Sequence, residues 1–309
     1  MELSIPDTKE VEVSSIKDSR DKSVCWAILV RDGALFLPQY LKCLIAQDYD
    51  KELIHLYIHT NNNSDTTEQI LDQFVEEFGS LFSGVTFLKK LDDPDSNKRS
   101  WHEWPLERLK VMARIRQESI KFAQKNNFDY YFVSDVDNFI SSKVLTESVK
   151  LHLPVVAPYL RTPPGDPIYR YSNFHEQIGP IGEFVQSERN LQICSRELVG
   201  IIPVDLVHCT YLVRGDILPF INYQLFEDNY EYRNFALSLK RNAPHVQQYL
   251  DARHVWGYLM HTDFEGALKS CQESLTSIEN LVKNFNEEDI EKDLFQAVEQ
   301  SKSIKSNHV

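Results

Sequence analysis

Residues 128–140 read Phe128-Asp129-Tyr130-Tyr131-Phe132-Val133-Ser134-Asp135-Val136-Asp137-Asn138-Phe139-Ile140. The aromatic and β-branched part of this stretch predicts a buried strand, and the strand ends in two carboxylates separated by one residue. Ligands of open α/β sheets gather at the carboxyl ends of the strands. Carboxylate oxygens there suit Mg²⁺ or Mn²⁺, and a divalent cation suits a diphosphate. The alternative is a strand that runs into an Asp-rich turn, because Asp and Asn are common turn residues.

The segments before this stretch alternate between predicted strands and helices. Val24–Val30 is a continuous apolar run, Leu53–Thr60 is a second strand, and Val85–Leu88 is a short third one. Helical apolar spacing separates them over residues 34–47 and from the Ser64 region to about Phe78. A β-α-β-α-β order with short connections is typical of a parallel sheet with crossover helices.

The segments after position 100 complete an α/β domain. They are an amphipathic helix at Leu106–Lys125, a strand at Val155–Tyr159, an irregular substrate loop over Arg161–Arg189, an antiparallel strand within Pro203–Val213, a helix from Phe226 to about Arg241, a strand at Val246–Leu250, and helical segments from about Phe264 to Lys302. We therefore predict a leader at 1–22 and one domain at 23–265. Residues 266–309 would form a helical segment that packs on the domain or mediates a homodimer.

Composition excludes several classes of protein. The net charge of −13 argues against a general nucleic-acid binder, whose surface would be basic. The five cysteines are widely spaced and form no C-x-x-C, which favours reduced thiols in a cytoplasmic compartment. We find no signal peptide and no apolar run of membrane-spanning length. The glycine motifs of dinucleotide-binding, P-loop and α/β-hydrolase enzymes are also missing.

Further polar residues are candidates for chemistry. Glu227 and Asp228 are either acids of a first helical turn or a general base that accepts a proton from an acceptor hydroxyl. One of His208, His254 and His261 could complete a metal site begun by Asp137, although a single His is more often structural. The polar loops that follow the first two strands lie at the same sheet edge as Asp135, where they could hold a nucleotide.

Short motifs along the chain recur in the order of a known family. They are Cys25-Trp26-Ala27-Ile28-Leu29-Val30-Arg31, Asp65-Thr66-Thr67-Glu68, Trp104-Pro105, Arg116-Gln117, Asp135-Val136-Asp137-Asn138-Phe139, Val156-Ala157-Pro158, Tyr171-Ser172-Asn173-Phe174, Pro203-Val204 with Val207-His208, and Gly257-Tyr258-Leu259. In this order they resemble the N-terminal glycosyltransferase domain of the procollagen galactosyltransferases and, more distantly, that of the lysyl hydroxylases. Without a signal peptide, the chain is most similar to the giant-virus members, which act on viral collagen-like proteins.

The resemblance implies a fold, a reaction and a set of site residues. The fold would be of the GT-A type, and the reaction would be an inverting, Mn²⁺- or Mg²⁺-dependent transfer of galactose from UDP-galactose to hydroxylysine of a collagen-like polypeptide. Asp228, with Glu227 beside it, would supply the base. Asp135 and Asp137 would hold the metal. The donor-binding residues would be Arg31, Thr60, Asn61, Asn62, Asp65, Arg116, Ser134, Asp135 and Val136.

Three questions stay open at the level of sequence. The family's His lies two residues before the Gly-Tyr-Leu motif, where this chain has Val255, so the third metal ligand is either His254 or His261. UDP-glucose is an alternative donor, because the orientation of one hydroxyl separates the two sugars. A non-catalytic GT-A module that binds collagen-like partners or a sugar nucleotide is the alternative from another class, against which the retained Asp228 weighs. No nucleic-acid or membrane partner is predicted.

Overall fold

An eight-stranded sheet carries the strand that ends at Ser134, immediately before Asp135. The computed structural model describes residues 21–91, 105–164, 171–260 and 272–276. In chain order the strands are β1 Val24–Val30, β2 Ile54–Asn61, β3 Gly84–Lys90, β4 Tyr130–Ser134, β5 Asn138–Ile140, β6 Val155–Pro158, β7 Leu160–Arg161, β8 Phe174–His175, β9 Gln177–Ile178, β10 Phe184–Val185, β11 Ile201–Val204, β12 Leu206–Val207, β13 Thr210–Arg214, β14 Gln248–Asp251 and β15 Gly257–Leu259.

The order of the main sheet is β11-β14-β6-β13-β4-β1-β2-β3. The four strands β3, β2, β1 and β4 are parallel, as the β-α-β-α-β pattern predicts. Strand β13 runs antiparallel to both β4 and β6, and β14 is parallel to β6. The carboxyl ends of β1, β2 and β4 therefore meet at one edge, and the loops that follow them are brought together there.

Helices cover both faces of the sheet. They are α1 Leu37–Ile45, α2 Thr67–Phe78, α3 Leu106–Lys125, α4 Val144–Leu151, α5 Glu188–Cys194 and α6 Glu231–Asn242. Strand β1 shows the separation of the faces: Trp26 packs in the core with α1, α2 and α4, whereas its neighbours Cys25 and Ala27 pack in the core with α3 and α6. A strand buried on both faces reads as a continuous apolar run, which is why the sequence predicts β1 with its observed bounds.

Two predicted boundaries are wrong for local reasons. The helix predicted from Phe226 begins at Glu231, because the Asn234 side chain bonds the backbone of Phe226 at both its N–H and its carbonyl oxygen and holds that segment in turns. The strand predicted over residues 203–213 is three strands. A tight turn in which Thr210 N donates to His208 O (2.7 Å), with Cys209 at φ 63°, separates β12 from β13.

The described part of the C-terminal segment is a helical turn over residues 272–276 that packs on the domain. Leu275 is buried, and Gln272 Nε2 donates to Gln39 Oε1 on α1 at 3.1 Å. The predicted leader to residue 20, the substrate-loop residues 165–170 and the rest of 266–309 lie outside the described residues. Within the described ranges no helix is long and apolar enough to span a bilayer, and the four cysteines found there are free thiols.

Candidate active site

The turn from β4 to β5 holds the two predicted metal carboxylates. Its backbone is fixed on both sides: Asn138 N donates to Asp135 O at 3.0 Å, and Asp135 N donates to Cys209 O at 3.1 Å. The second bond ties the turn to the segment that enters β13. The turn therefore depends on the segment that leads into β13, the antiparallel neighbour of β4.

A buried polar network supports this turn from below. The Thr210 hydroxyl accepts a hydrogen bond from Asn138 Nδ2 at 2.8 Å and bonds the Ser134 hydroxyl at 3.0 Å. On the other face, Tyr40 Oη donates to Ser134 O at 3.1 Å and itself accepts from Trp26 Nε1 at 2.8 Å. Each of these buried polar side chains has a partner, so hydrogen bonds offset the desolvation of the groups that fix the turn. The sequence predicts that Ser134 binds the donor. In the structure its hydroxyl belongs to this network.

Arg116 joins two carboxylates that come from different elements. Its Nη2 donates to Asp135 Oδ1 at 2.8 Å, and its Nε lies 3.4 Å from Glu231 Oε1. Arg116 is 4% exposed and Glu231 is 6% exposed. Burial raises the pKa of Glu231, and the Arg116 charge opposes that rise. The guanidinium of α3 thus fixes Asp135 against the first residue of α6.

Asp137 has a pKa well above the usual range of a carboxyl group. Burial and then the neighbouring Asp135 charge raise its pKa to about 7, while Arg116 acts in the opposite direction. Two close carboxyls that do not ionise readily together gain most from a shared cation. The donor set consists of hard oxygens, which fits Mg²⁺ or Mn²⁺. Asp135 and Asp137 therefore fit the divalent cation that the sequence predicts.

The third ligand has two candidates in different places. Met260 N donates to Asp137 O at 2.9 Å, and β15 pairs with β5, so the chain passes beside Asp137 immediately before His261. His261 itself lies outside the described residues. The His254 ring packs edge-on against Trp256, and its pKa is lowered by burial with Asp251, Arg253 and Arg196 as its charged neighbours. Among the described residues no three His, Cys, Asp or Glu side chains form a metal cluster, and the metal site stays a prediction.

The model of "Glycosyltransferase family 25, N-terminal domain" matches residues 21–283 of this sequence. The chain belongs to glycosyltransferase family 25. Human procollagen galactosyltransferase 2 is 28% identical over 270 residues, which cover 84% of this chain and 41% of the relative. The "glycosyltransferase 25 family member" of Drosophila melanogaster is 30% identical over 62% of this chain and 31% of the relative. Mouse "inactive glycosyltransferase 25 family member 3" is 28% identical over 66% and 34%.

This family 25 chain thus spans about two fifths of the length of the procollagen galactosyltransferases that it matches. Among solved structures, S. aureus TarS in complex with UDP-GlcNAc aligns with a TM-score of 0.49 at 14% identity, covering 89% of this chain and 71% of TarS. The mannosyltransferase PcManGT from Pyrobaculum calidifontis, in complex with GDP-Man and Mn²⁺, aligns with a TM-score of 0.43 at 12% identity, covering 75% and 57%. Family membership and the sheet topology confirm the GT-A fold predicted from sequence.

Five of the nine predicted donor-binding residues of this family 25 domain lie at the ends of β1 and β2 and on the two interlocked loops that follow them: Arg31, Thr60, Asn61, Asn62 and Asp65. The Asp65 carboxylate accepts hydrogen bonds from Ala34 N at 3.0 Å and Thr67 N at 2.9 Å. Burial alone would raise the pKa of Asp65, but these hydrogen bonds lower it below its usual value. Asp32 beside Arg31 accepts from Ser64 N at 2.6 Å, so each loop carries an acid that binds the backbone of the other. Asp65 therefore positions the two loops that follow β1 and β2.

The remaining predicted donor residues line the same edge. Thr60 and Asn61 are buried at the end of β2, and the Thr60 hydroxyl accepts from Asn63 Nδ2 at 2.7 Å. Asn62 takes the left-handed backbone conformation with φ 50°. A Cβ on Gly33 would lie 3.1 Å from Val136 Cγ2, so the loop after β1 packs directly on the turn between the two acids. The structure thus brings Arg31, the β2 end and Val136 together.

Glu227 and Asp228 are more exposed than Asp135 and Asp137. Both are exposed, in the turns that precede α6, and Glu227 Oε2 lies 3.4 Å from Lys110 Nζ. The buried acid at the helix start is Glu231, which the sequence analysis did not single out. Its position in a first helical turn looks like ordinary capping, and only the contact with Arg116 distinguishes it.

Proposed function

We propose that this chain is an inverting, metal-dependent galactosyltransferase that moves galactose from UDP-galactose to hydroxylysine of a collagen-like polypeptide. The supporting relatives are the human and mouse procollagen galactosyltransferases 2. The observation that carries the proposal is the pair Asp135 and Asp137 at the carboxyl end of β4, with Asp137 held at a raised pKa and Arg116 bonded to Asp135.

The donor nucleotide would occupy the loops after β1 and β2. Arg31 supplies a positive charge beside Asp32 at the end of β1, and the adjoining loop offers the amide side chains of Asn61 and Asn62. Amide and hydroxyl groups at the carboxyl edge are the kinds of groups that bind a base and a ribose. Asp135, oriented by Arg116, would face the ribose and the metal.

Asp135, Asp137 and a histidine would hold the metal, which supplies positive charge for the leaving diphosphate. We assign the histidine to His261, because Met260 is bonded to the Asp137 backbone, and keep His254 as the alternative. A carboxylate near the acceptor takes the hydroxyl proton as the acceptor oxygen bonds the anomeric carbon of galactose. The bond from that carbon to the diphosphate oxygen breaks, and UDP leaves with the electron pair. One such displacement inverts an α-linked donor to a β-linked product.

Asp228 is the proposed base. Its exposed position before α6 leaves the carboxylate open to an acceptor hydroxyl, which a general base must reach within hydrogen-bonding distance. Glu231 is already paired with Arg116, and its carboxylate is buried. We therefore give Asp228 the proton-accepting role and Glu231 the role of fixing Arg116.

Two alternatives have a specific basis. UDP-glucose would enter the same loops, because it differs from UDP-galactose in one hydroxyl. A non-catalytic role is favoured by relatives from mouse and human that carry the word "inactive" in their names, at 28% identity. A binding module of that kind would hold collagen-like chains or sugar nucleotide without transfer.

The test is UDP release with Mn²⁺ and a hydroxylysine-containing Gly-X-Y peptide, run in parallel with UDP-galactose and UDP-glucose. We expect turnover with UDP-galactose that is lost on chelation of the metal and in Asp137→Ala, which should also lose Mn²⁺-dependent donor binding. Asp216→Ala is the matched control, because this exposed acid pairs with Arg214 at the opposite edge of the sheet. The absence of turnover above background with every hydroxylysine acceptor would refute the enzyme proposal.

A further inference from the structure

A cluster of aromatic rings lies on the side of the acidic turn that faces β13 and α6. The His175 and His208 rings are 5.3 Å apart, and Tyr232 lies 5.2 Å from His208 and 6.0 Å from His175, measured between ring centroids. Phe184 and Tyr171 flank this pair at 5.3 Å and 6.2 Å. We call Tyr171, His175, Phe184, His208, Tyr230 and Tyr232 the aromatic surface.

The aromatic surface is joined to the proposed catalytic site through the backbone. His208 immediately precedes Cys209, whose carbonyl accepts from Asp135 N. Tyr230 immediately precedes Glu231, the partner of Arg116. Burial, Cys209, Tyr232, and then Asp137 and Asp135 raise the pKa of the Tyr171 phenol, so this ring lies within the field of the two carboxylates. A ligand on the aromatic surface would therefore adjoin the site.

Part of this surface is open to solvent although its rings are held in place. Phe184 is 45% exposed and Tyr171 36% exposed, and Ile181 beside them is 62% exposed. The hairpin β9–β10 that carries Phe184 is fixed to the α6 side, because Asn229 Nδ2 donates to Ile181 O at 3.0 Å. Gly182, at φ 83°, packs so closely on Arg233 that a Cβ would lie 2.7 Å from Arg233 Cβ. Rigid, exposed, adjoining apolar side chains are typical of an interaction surface.

The charge around this surface selects for a cationic partner. Glu227 and Asp228 are exposed beside Phe226, which is itself 49% exposed. The Arg233 guanidinium is stacked on Tyr230 at 4.8 Å and on Tyr232 at 5.8 Å, so this nearby cation is engaged with the rings. The chain as a whole carries a net charge of −13. A nucleotide phosphate is disfavoured here, whereas lysine-type ammonium groups are attracted.

We propose that the aromatic surface docks the acceptor polypeptide as an extended polyproline II segment. Prolines of such a segment would pack on Phe184 and Tyr171, and its lysine-type side chains would face Glu227 and Asp228. Polyproline II chains commonly bind aromatic-lined surfaces, because their extended conformation is already formed and little entropy is lost. The inference rests on the proposed function, because the aromatic surface would bind the second substrate of that reaction. This surface lies on the β13 side of β4, whereas the loops after β1 and β2 lie on the other side.

The test is fluorescence anisotropy with a labelled single-chain Gly-Pro-Lys repeat peptide, without donor, on the full chain. We expect Phe184→Ala and Tyr171→Ala each to weaken binding about tenfold, as removal of an anchoring aromatic does. Leu81→Ala is the control. Leu81 is 46% exposed and precedes β3, the last strand of the sheet on the side away from β13. Its loss should leave peptide affinity unchanged. UDP binding in the presence of Mn²⁺ should be unchanged in all three variants, which also confirms that they fold.

A second probe separates a polypeptide partner from a carbohydrate one. A galacto-oligosaccharide should bind less tightly than the peptide and should be insensitive to Phe184→Ala. The proposal is overturned if both aromatic variants bind the peptide as the wild type does, or if the oligosaccharide is the tighter ligand and is lost in Phe184→Ala. Failure of the wild type to bind UDP with Mn²⁺ would instead count against the proposed function, and the peptide comparison would still decide the docking surface.

Discussion

At the scale of single residues, the acids of the candidate site differ in solvent exposure, and this difference separates their proposed roles. Desolvation raises the pKa of Asp137 and that of the buried Glu231, so their charges depend on a cation or on Arg116. Asp228 and Glu227 are solvated and open to an incoming substrate. A buried carboxylate with a fixed cationic partner positions groups, whereas an exposed carboxylate is available to exchange a proton.

The first prediction separates the two roles. Asp228→Asn should lower turnover by about 10²-fold or more and spare donor binding, because it removes a proton acceptor and leaves the nucleotide loops intact. Steady-state UDP release and donor titration measure the two effects. Asp216→Asn, at the opposite sheet edge, is the control and should retain full turnover. Full turnover in Asp228→Asn together with a loss in Glu231→Gln would transfer the base role to Glu231.

Arg116 is the second residue with a specific expectation. Arg116→Lys keeps the positive charge, but an ammonium cannot reach both Asp135 and Glu231 as the planar guanidinium does. Breaking a buried pair by loss of one partner costs about 3–5 kcal/mol, and we expect a loss approaching this range in urea unfolding. Mn²⁺-dependent donor affinity should fall with it. Arg114→Lys, on the same helix in a half-exposed pair with Glu118, should change stability by less than about 1 kcal/mol. Equal stability of the two variants would contradict this account.

At the scale of elements, the loops after β1 and β2 form one unit through Asp65 and Asp32. Asp65→Ala leaves two backbone N–H groups, those of Ala34 and Thr67, without their acceptor, and should cost about 1–2 kcal/mol. Donor affinity should weaken because the loops lose their mutual support, while Mn²⁺ affinity should persist. The control is Asp72→Ala on the neighbouring helix α2, which removes an exposed ion pair with Lys89 of β3. Unchanged nucleotide affinity in Asp65→Ala would show that the loops do not act as a unit.

Strand β15 is the element that brings the chain back to Asp137. A Cβ on Gly257 would lie 2.2 Å from Phe139 O, so Gly257→Ala must push β15 away from β5. We expect a destabilisation of about 1–3 kcal/mol, typical of overpacking, and a weaker Mn²⁺ site because Met260 is displaced with the strand. Thermal unfolding and metal titration test both effects. Gly79→Ala is the control, since its Cβ would meet only ordinary contacts at 3.4 and 3.6 Å.

Elements with a strong local signal were predictable, and those defined by tertiary contacts were not. The bounds of β1 and α3 follow from a continuous apolar run and from an amphipathic repeat that begins after Pro105. The start of α6 does not, because the Asn234 side chain selects turns over residues that carry acids typical of a helix start. The carboxylates after β4 were predicted from spacing, whereas Glu231 becomes a site residue only through Arg116, which lies more than 100 positions away.

At the scale of the whole molecule, stability should depend on acid through buried imidazoles. Burial, and next the Arg233 charge, lower the pKa of His175 to about 4, and burial lowers that of His208 as well. An unfolded chain binds protons at these rings below about pH 6.5. Folded stability should therefore fall as the pH drops from 6.5 towards 4, by up to about 1.4 kcal/mol per pH unit for each ring.

The measurement is urea unfolding across this pH range. His175→Phe should give a shallower decline, because the variant has one fewer ring that charges on unfolding. His245→Gln, a change at an exposed histidine, should leave the slope as in the wild type. A His175→Phe slope equal to that of the wild type would remove His175 from this explanation.

Because Thr210 and Cys209 support the acidic turn, the order in which the segments are synthesised determines when the candidate site can form. During synthesis, β1 to β4 and their helices emerge early, and their parallel pairings need no later residue. Asp135 N, the Ser134 hydroxyl and the Asn138 side chain have no partner in the later half of the sheet until Cys209 and Thr210 arrive. Glu231 and Met260 follow later still. A nascent chain thus passes through a stage in which half of the sheet is formed and the proposed metal site is not yet assembled. The proposed cation and sugar nucleotide can then act as folding ligands only after the segment that includes Met260 has been synthesised.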